Sequence, residues 1–262
     1  MPLIADQPGQ LPRKMHTPVS DLPSISVGAT GATIIGKDNR VLQAAVDYIG
    51  NLGGGTVRIG AGEYLMHDSL HLRSNVRVVG VSGSTILKKA KGSRSLLLID
   101  GDFGEEQITL KDPTGFDIGY GVTVDDDIAG GFHSVVARIT GKRGDTFSID
   151  KPLNADCMIN NGAYAPTFFR VISGYDLDGA ELKNLTIDGN KENNGYLNGC
   201  RGGGIFFYRG FGTIIDGCHV KNYRGDGISF QQSNDVTVKN CISDGNTHLG
   251  LFIPAVAHSA QS

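Results

Sequence analysis

A fixed step of 23 residues constrains this chain more than any other feature. Gly204-Ile205-Phe206-Phe207, Gly227-Ile228-Ser229-Phe230 and Gly250-Leu251-Phe252-Ile253 align at that spacing. A second element keeps the same step, with Thr213-Ile214-Ile215-Asp216-Gly217-Cys218 matching Val236-Thr237-Val238-Lys239-Asn240-Cys241. An earlier copy, Ala180-Glu181-Leu182-Lys183-Asn184-Leu185, lies 33 residues upstream, one period plus ten residues inserted between Asp188 and Gly203. A true period means that each copy is one structural unit stacked on the next, because no unit of this size can bury its apolar face alone.

Each copy reads as short alternating strands separated by Gly, Asn and Asp, without an amphipathic helix. That pattern suits one coil of a parallel β-helix and lacks the Leu and Asn framework of a leucine-rich repeat. Residues one period apart should then stack about 4.8 Å apart. Ile205, Ile228 and Leu251 are expected in one interior stack, with Phe207, Phe230 and Ile253 beside it. Cys218 and Cys241 should follow Leu185 in the same core, both sulfurs reduced and buried.

Upstream, Val41 to Ile49 is the one good helix, apolar at 41, 42, 45, 46 and 49 and stopped by Gly50 and Gly53. It is the natural cap for the first coil of a solenoid. Short strands follow at Thr56-Val57-Arg58-Ile59, Tyr64-Leu65-Met66, Ser69 to Leu72, Val76 to Val79 and Thr85-Ile86-Leu87. From about Glu105 to Arg170 the pattern becomes antiparallel, with Gly141-Lys142-Arg143-Gly144-Asp145 as a hairpin turn. The expected organisation is a flexible leader over 1–25, cap and first coils over 26–104, an inserted β module over 105–170, further coils over 171–253 and an irregular tail over 254–262. The fold class is all-β: a parallel β-helix with an N-terminal capping helix and a small antiparallel insertion.

Composition agrees. Glycine, 38 of 262 residues, is about twice its ordinary usage, as a chain with a corner every few residues needs. A net charge of −3 removes the footprint of a nucleic-acid binder. No apolar run approaches the ~18 residues that span a bilayer, so a soluble protein without a membrane partner is expected. The first 24 residues are polar and carry five prolines, with no signal-peptide core. Four cysteines, Cys157, Cys200, Cys218 and Cys241, form neither a disulfide framework nor a paired zinc motif.

Leu42-Gln43-Ala44-Ala45-Val46, Gly53-Gly54-Gly55-Thr56-Val57, Gly62-Glu63-Tyr64 and Asn75 to Gly80 together resemble the N-terminal region of the pectate lyase superfamily. The coils around Gly227 to Phe230 and Asn234 to Cys241 resemble its generic β-helix repeats. The resemblance covers about residues 26–104 and 172–253 and implies the right-handed fold, a polysaccharide partner and a secreted or cell-surface location; the lack of an export signal leaves a cytoplasmic one open. It also implies uronic-acid lyase chemistry, with a non-catalytic or tailspike-like solenoid and a glycoside hydrolase as alternatives. The hydrolase pattern of Asn-Thr-Asp, Asp-Asp, Gly-His-Gly and Arg-Ile-Lys is not recovered, the corresponding places reading Arg201-Gly202-Gly203, Gly225-Asp226 and His248-Leu249-Gly250. After Leu251 the alternation dissolves, which reads as a shortened member whose open last coil invites self-association.

In such a solenoid a glycan lies along stacked strands, and the outward positions here are Phe206, Ser229, Phe252, Tyr208 and Gln231. Phe206 and Tyr208 could present ring faces to a sugar. The turns before these strands place Arg201, Arg224, Asp226 and His248 on one edge. An Arg beside an Asp can neutralise a uronate carboxylate while a second group removes the α-proton, so Asp226, Arg224 and His248 are the catalytic candidates. The inserted stretch adds Asp188, Lys191 and Glu192 as substrate contacts beside Arg201. Asp125-Asp126-Asp127 with Asp117 is the densest carboxylate cluster, and a Ca²⁺ ion would suit it, although the EF-hand spacing is missing.

Overall fold

A strand of three to six residues buries only two or three side chains, so these repeats gain a core only by winding on top of one another. The computed structural model describes residues 21–128, 133–198 and 201–252, and in it the chain winds through three parallel sheets. Sheet A carries Ile34–Ile35, Ser24–Gly28, Gly55–Ile59, Val76–Val79, Glu181–Lys183, Ile214–Asp216 and Thr237–Lys239 in spatial order. Sheet B stacks Gly62–Met66, Thr85–Lys89, Thr186–Asp188, His219–Lys221 and Ile242–Asp244. Sheet C stacks Leu70–His71, Ile172–Tyr175, Gly203–Tyr208, Asp226–Gln231 and Leu251–Phe252. The register follows the 23-residue step: Ile205 faces Ile228, Ile215 faces Val238, His219 faces Ile242 and Ile228 faces Leu251.

The interior stacks form as the periodicity requires. Ile205, Ile228, Phe207 and Phe230 are buried. Leu251, in the last described coil, is half exposed and Ile253 lies outside the described residues. Cys218 is buried and free, whereas Cys241 is only partly buried, because it belongs to that last described coil and carries no described coil beyond it. Cys200 lies outside the described residues.

Corners recur with the strands. Asn184, Gly217 and Asn240 occupy one stacked corner at φ 55°, 63° and 53°, a left-handed conformation that Gly and Asn enter at least cost.

The helix runs over Asn39–Asn51, and the Asp38 side chain caps it by accepting from the backbone N–H groups of Arg40 and Val41. Leu42, Ala45, Val46 and Ile49 press into the open end of the core. Ser24 and Ile25, placed in the leader by the sequence, pair with Thr56 and Val57, since an apolar Ile25 can complete sheet A over the helix; residues 1–20 lie outside the described residues. Among the described residues no helix is long and apolar enough to cross a membrane.

The inserted module leaves sheet B after Lys89 and returns to sheet C at Ile172. Its antiparallel pairing begins at Arg94–Leu96, which joins Tyr164–Pro166, upstream of residue 105. A four-stranded sheet follows in the order Gly121–Val124, Val135–Arg143, Thr146–Ile149, Gln107–Thr109, over a separate core that includes Leu97, Leu110, Phe116 and Phe147. The hairpin is tighter than the expected five-residue turn. Its strand continues through a bulge near Gly141 to Arg143, leaving Gly144, at φ 60°, and Asp145 as the turn. The ten extra residues of the next coil leave from the same corner, between Thr186–Asp188 and Gly203–Tyr208. Both insertions therefore flank the outer face of sheet C.

Candidate functional site

Alternation sends every second side chain of sheet C outward. The parallel register lines His71, Ser173, Phe206 and Ser229 into one row, and Tyr175, Tyr208 and Gln231 into the next. The module rises beside these rows and encloses a cavity of about 560 Å³, bounded on one side by His71, Arg73, Ser173 and Tyr175 and on the other by Val136, Arg138, Asp150 and Lys151. Arg170 and Arg201 also line it, and with Tyr175 they form the wall shared with a second hollow of about 350 Å³ over Phe206, Tyr208, Gln231 and Gln232. The two together make a groove along sheet C, across the coils.

The groove is cationic. Arg73, Arg138, Lys151, Arg170 and Arg201 line its larger part against one carboxylate, Asp150. Arg73 pairs with Asp47 at 2.6 Å and Arg138 with the buried Asp68 at 2.6 Å. Arg170 is 4% exposed, its guanidinium 4.8 Å from the Phe206 ring and 5.5 Å from the Tyr175 ring. Its Nε has no hydrogen-bond partner among the described residues. Leaving a buried charged donor unpaired is costly, which marks this position as unusual within the fold. Burial above all, and then the Arg170 charge, push the Lys151 pKa below its ordinary value. The Lys151 ammonium lies 4.9 Å from the Tyr175 ring and 3.1 Å from the Val136 carbonyl, to which it donates.

The sequence candidates divide between three places. Arg201, Phe206, Tyr208 and Gln231 line the groove. Phe206, however, is 2% exposed beneath Arg170 and Tyr175 and offers no open face to a sugar, and Ser229 is fully buried. Of Phe252, only the backbone is described, in register with Ser229.

Arg224, Asp226 and His248 do not line the groove. Arg224 Nε donates to the Asn194 carbonyl at 3.0 Å and braces the inserted loop. Asp226 is buried, accepts from Leu249 N at 3.2 Å, and has its pKa raised by burial. The His248 ring lies 4.8 Å from that of Tyr196. Asp226 and His248 stay neighbours, with His248 N donating to the Gly225 carbonyl and the His248 charge acting on Asp226, but of this group only Arg201 lines the groove. Asp188, Lys191 and Glu192 line a separate hollow of about 280 Å³ with Lys88 and Asn222, where Asp188 accepts from Asn190 N and Lys191 donates to the Gly245 carbonyl.

In the cluster expected to suit calcium, the carboxylates of Asp117, Asp125 and Asp126 bond to neighbouring backbone and to one serine. Asp125 accepts from Ser134 Oγ, Asp126 from Ile128 N and Met158 N, and Asp117 from Ile118 N. Among the described residues no three His, Cys, Asp or Glu side chains gather where they could hold a metal ion.

Sequence reasoning missed His71, Ser173, Tyr175, Arg170 and Lys151. Ser173 and Tyr175 carried a signal, since Ile172-Ser173-Gly174-Tyr175 stands 33 residues before Ile205-Phe206-Phe207-Tyr208 and continues the alternation one coil upstream. Arg170 and Lys151 carried none, for they lie in and beside the non-repeating module.

The family model described as the right handed beta helix region matches residues 153–260. No curated protein matches the chain. Among solved structures, the A-module of an Azotobacter vinelandii mannuronan C-5 epimerase is 16% identical, with 80% of this chain and 41% of that chain covered and a TM-score of 0.47. A tailspike of Pseudomonas phage phi297 is 12% identical, with 78% and 53% covered and a TM-score of 0.30. A Streptococcus pneumoniae surface adhesin is 14% identical, with 82% and 48% covered and a TM-score of 0.36. The chain thus spans about half the length of these structures or less. Three parallel sheets in a 23-residue register, together with the matched repeat region, give this chain the fold of a right-handed parallel β-helix.

Proposed function

We propose that the groove along sheet C binds an acidic, uronic-acid-containing polysaccharide and that the protein is a lyase acting on it. One observation carries the reading: five cationic side chains line an elongated groove, one of them the buried Arg170 with an unmatched Nε–H. A uronate carboxylate is the anion such a lining would take, since the planar guanidinium groups of the lining arginines suit its geometry. Tyr175 and Tyr208, the outward aromatics of adjacent coils, give the ring surface that sugars pack on.

For β-elimination the enzyme neutralises that carboxylate, which acidifies the α-hydrogen, and takes the proton with a nearby base. The released electron pair forms the C4=C5 double bond as the C4–O glycosidic bond breaks, and the departing oxygen takes a proton from water. Arg170 and Arg201 serve the first role in this reading. Lys151 serves the second, because its lowered pKa gives it a larger neutral fraction than an ordinary lysine at the same pH.

The test is a panel of polyuronates and neutral glycans, with binding measured at two salt concentrations and both unsaturated products and reducing ends followed over time. Salt-sensitive binding of polyuronates with new unsaturated ends supports the reading. Binding without turnover reduces it to a carbohydrate-binding solenoid, and reducing ends without unsaturation turn it into a hydrolase. Absence of binding to every anionic polymer rejects it.

A further inference from the structure

Asp68, His71 and Ser173 form one hydrogen-bonded chain at the floor of the groove. Asp68 and His71 come from the first coil, and Ser173 comes from the strand that returns after the module and sets Ser173 in register with His71. Ser173 Oγ lies 3.0 Å from His71 Nδ1, and His71 Nε2 lies 2.9 Å from Asp68 Oδ2. Asp68 is 4% exposed and also accepts from Arg138 Nε at 2.6 Å. Burial opposes its charge, but His71 and Arg138 outweigh that and hold its carboxyl below the usual carboxylate range. An ionised carboxylate only accepts, so in the neutral imidazole Nε2 carries the hydrogen and Nδ1 is left to accept from the serine hydroxyl.

A hydroxyl directed at an imidazole that a buried carboxylate orients is the arrangement of an activated oxygen nucleophile. Ser173 and His71 both line the 560 Å³ cavity, and Arg170 lines it as well. Acyl transfer also needs a donor for the developing oxyanion. Arg170, which lines that cavity with a guanidinium lying over the Phe206 ring, is the cationic group assigned to this role.

We propose that Ser173 is a nucleophile toward acyl esters, with His71 as its general base, and that this site removes O-acyl groups such as acetyl esters from sugars. Ser173 Oγ bonds to the acyl carbon as its proton passes to His71 Nδ1, and the carbonyl electron pair moves onto oxygen. Collapse of that intermediate breaks the ester bond, and the departing sugar oxygen takes the proton from His71. Water then attacks the acyl-serine, gives a proton to His71, and releases the carboxylic acid as Ser173 regains its hydrogen. Asp68 is a positioning residue, acting only through His71. The reacting unit is a small acyl ester, so this activity does not rest on the uronate reading.

The experiment treats the full chain with a fluorophosphonate probe and with p-nitrophenyl acetate. The expected result is one covalent adduct on the Ser173 peptide and acetate release above buffer, both absent in Ser173→Ala. His71→Gln should slow labelling by about 10²-fold or more, the usual worth of a positioned base. Asp68→Asn should lower kcat for the acetate ester with KM unchanged, a split that loss of folded protein alone does not give. Ser173→Cys keeps the volume of the site and should be alkylated by iodoacetamide ahead of the other cysteines, which serves if the alanine variant folds poorly. A folded wild type with no adduct at Ser173, or labelling indifferent to His71→Gln, overturns the proposal. Polyuronate binding that survives such a result leaves the lyase reading in place, and the reverse holds equally.

Discussion

Lys89 offers a direct test of the physical reasoning about this core. It ends the strand Thr85–Lys89 with its side chain turned inward and 2% exposed. Its ammonium lies 4.6 Å from the centroid of the Phe169 ring and 5.6 Å from those of Phe168 and Tyr223. Burial pulls its pKa from 10.5 to about 7. At ~1.4 kcal/mol per pH unit, that fall corresponds to about 5 kcal/mol against the charged form. Three ring faces favour the cation and return about 2 kcal/mol, leaving a net cost of about 3 kcal/mol.

The sign follows from proton counting. Between the native value and 10.5 the unfolded chain holds a proton on Lys89 that the native state does not, so stability rises with pH across that window and levels off below it. Lys89→Met shortens the side chain by one atom and removes the charge. It should be more stable than the wild type by about 3 kcal/mol at pH 6, with the gap closing toward pH 10. Urea unfolding followed by tyrosine fluorescence reads this directly, as the chain has 8 Tyr and no Trp. A gap independent of pH between 6 and 10, or a methionine variant that is the less stable at pH 6, would refute the reasoning.

Gly217→Ala should cost about 1–2 kcal/mol by thermal or urea unfolding, because that corner sits at φ 63° and an added Cβ would lie 2.6 Å from Asn184 Oδ1. Asp38→Ala removes the cap of the only α-helix described and should lower stability by about 1 kcal/mol, with Asp38→Asn recovering most of it. The Asp68 carboxyl, held low by His71 and Arg138, contributes stability above pH 3.8 that is lost as pH falls through its lower native value. The midpoint temperature of the wild type should therefore drop more steeply there than that of Asp68→Asn. Arg201→Ala should weaken polyuronate binding and flatten its salt dependence, while Arg224→Ala, which braces Asn194, should leave both unchanged.

The sequence by itself determined the coils, because a period is a local fact repeated. Gly204, Gly227 and Gly250 stand one strand spacing apart wherever the chain winds, and alternation within each copy decides which side chains turn inward. The capping helix and the ten-residue insertion were legible for the same reason, the first from its apolar stripe and the second from the break in the step. Only the tertiary structure decided the site. The module contributes Arg138 and Lys151, and where it lies depends on two ends fixed by coils it does not resemble, the strand ending at Lys89 and the one starting at Ile172. Ser173 meets His71 across 102 residues because those two strands pair after the excursion, and no pattern in the intervening sequence records it. Arg224 and Asp226, adjacent to the expected groove in sequence logic, point instead into the corner that holds Asn194 and Leu249. A repeat propagates through neighbours and is readable locally, whereas a cavity between a repeat and its insertion depends on contacts distant in the chain.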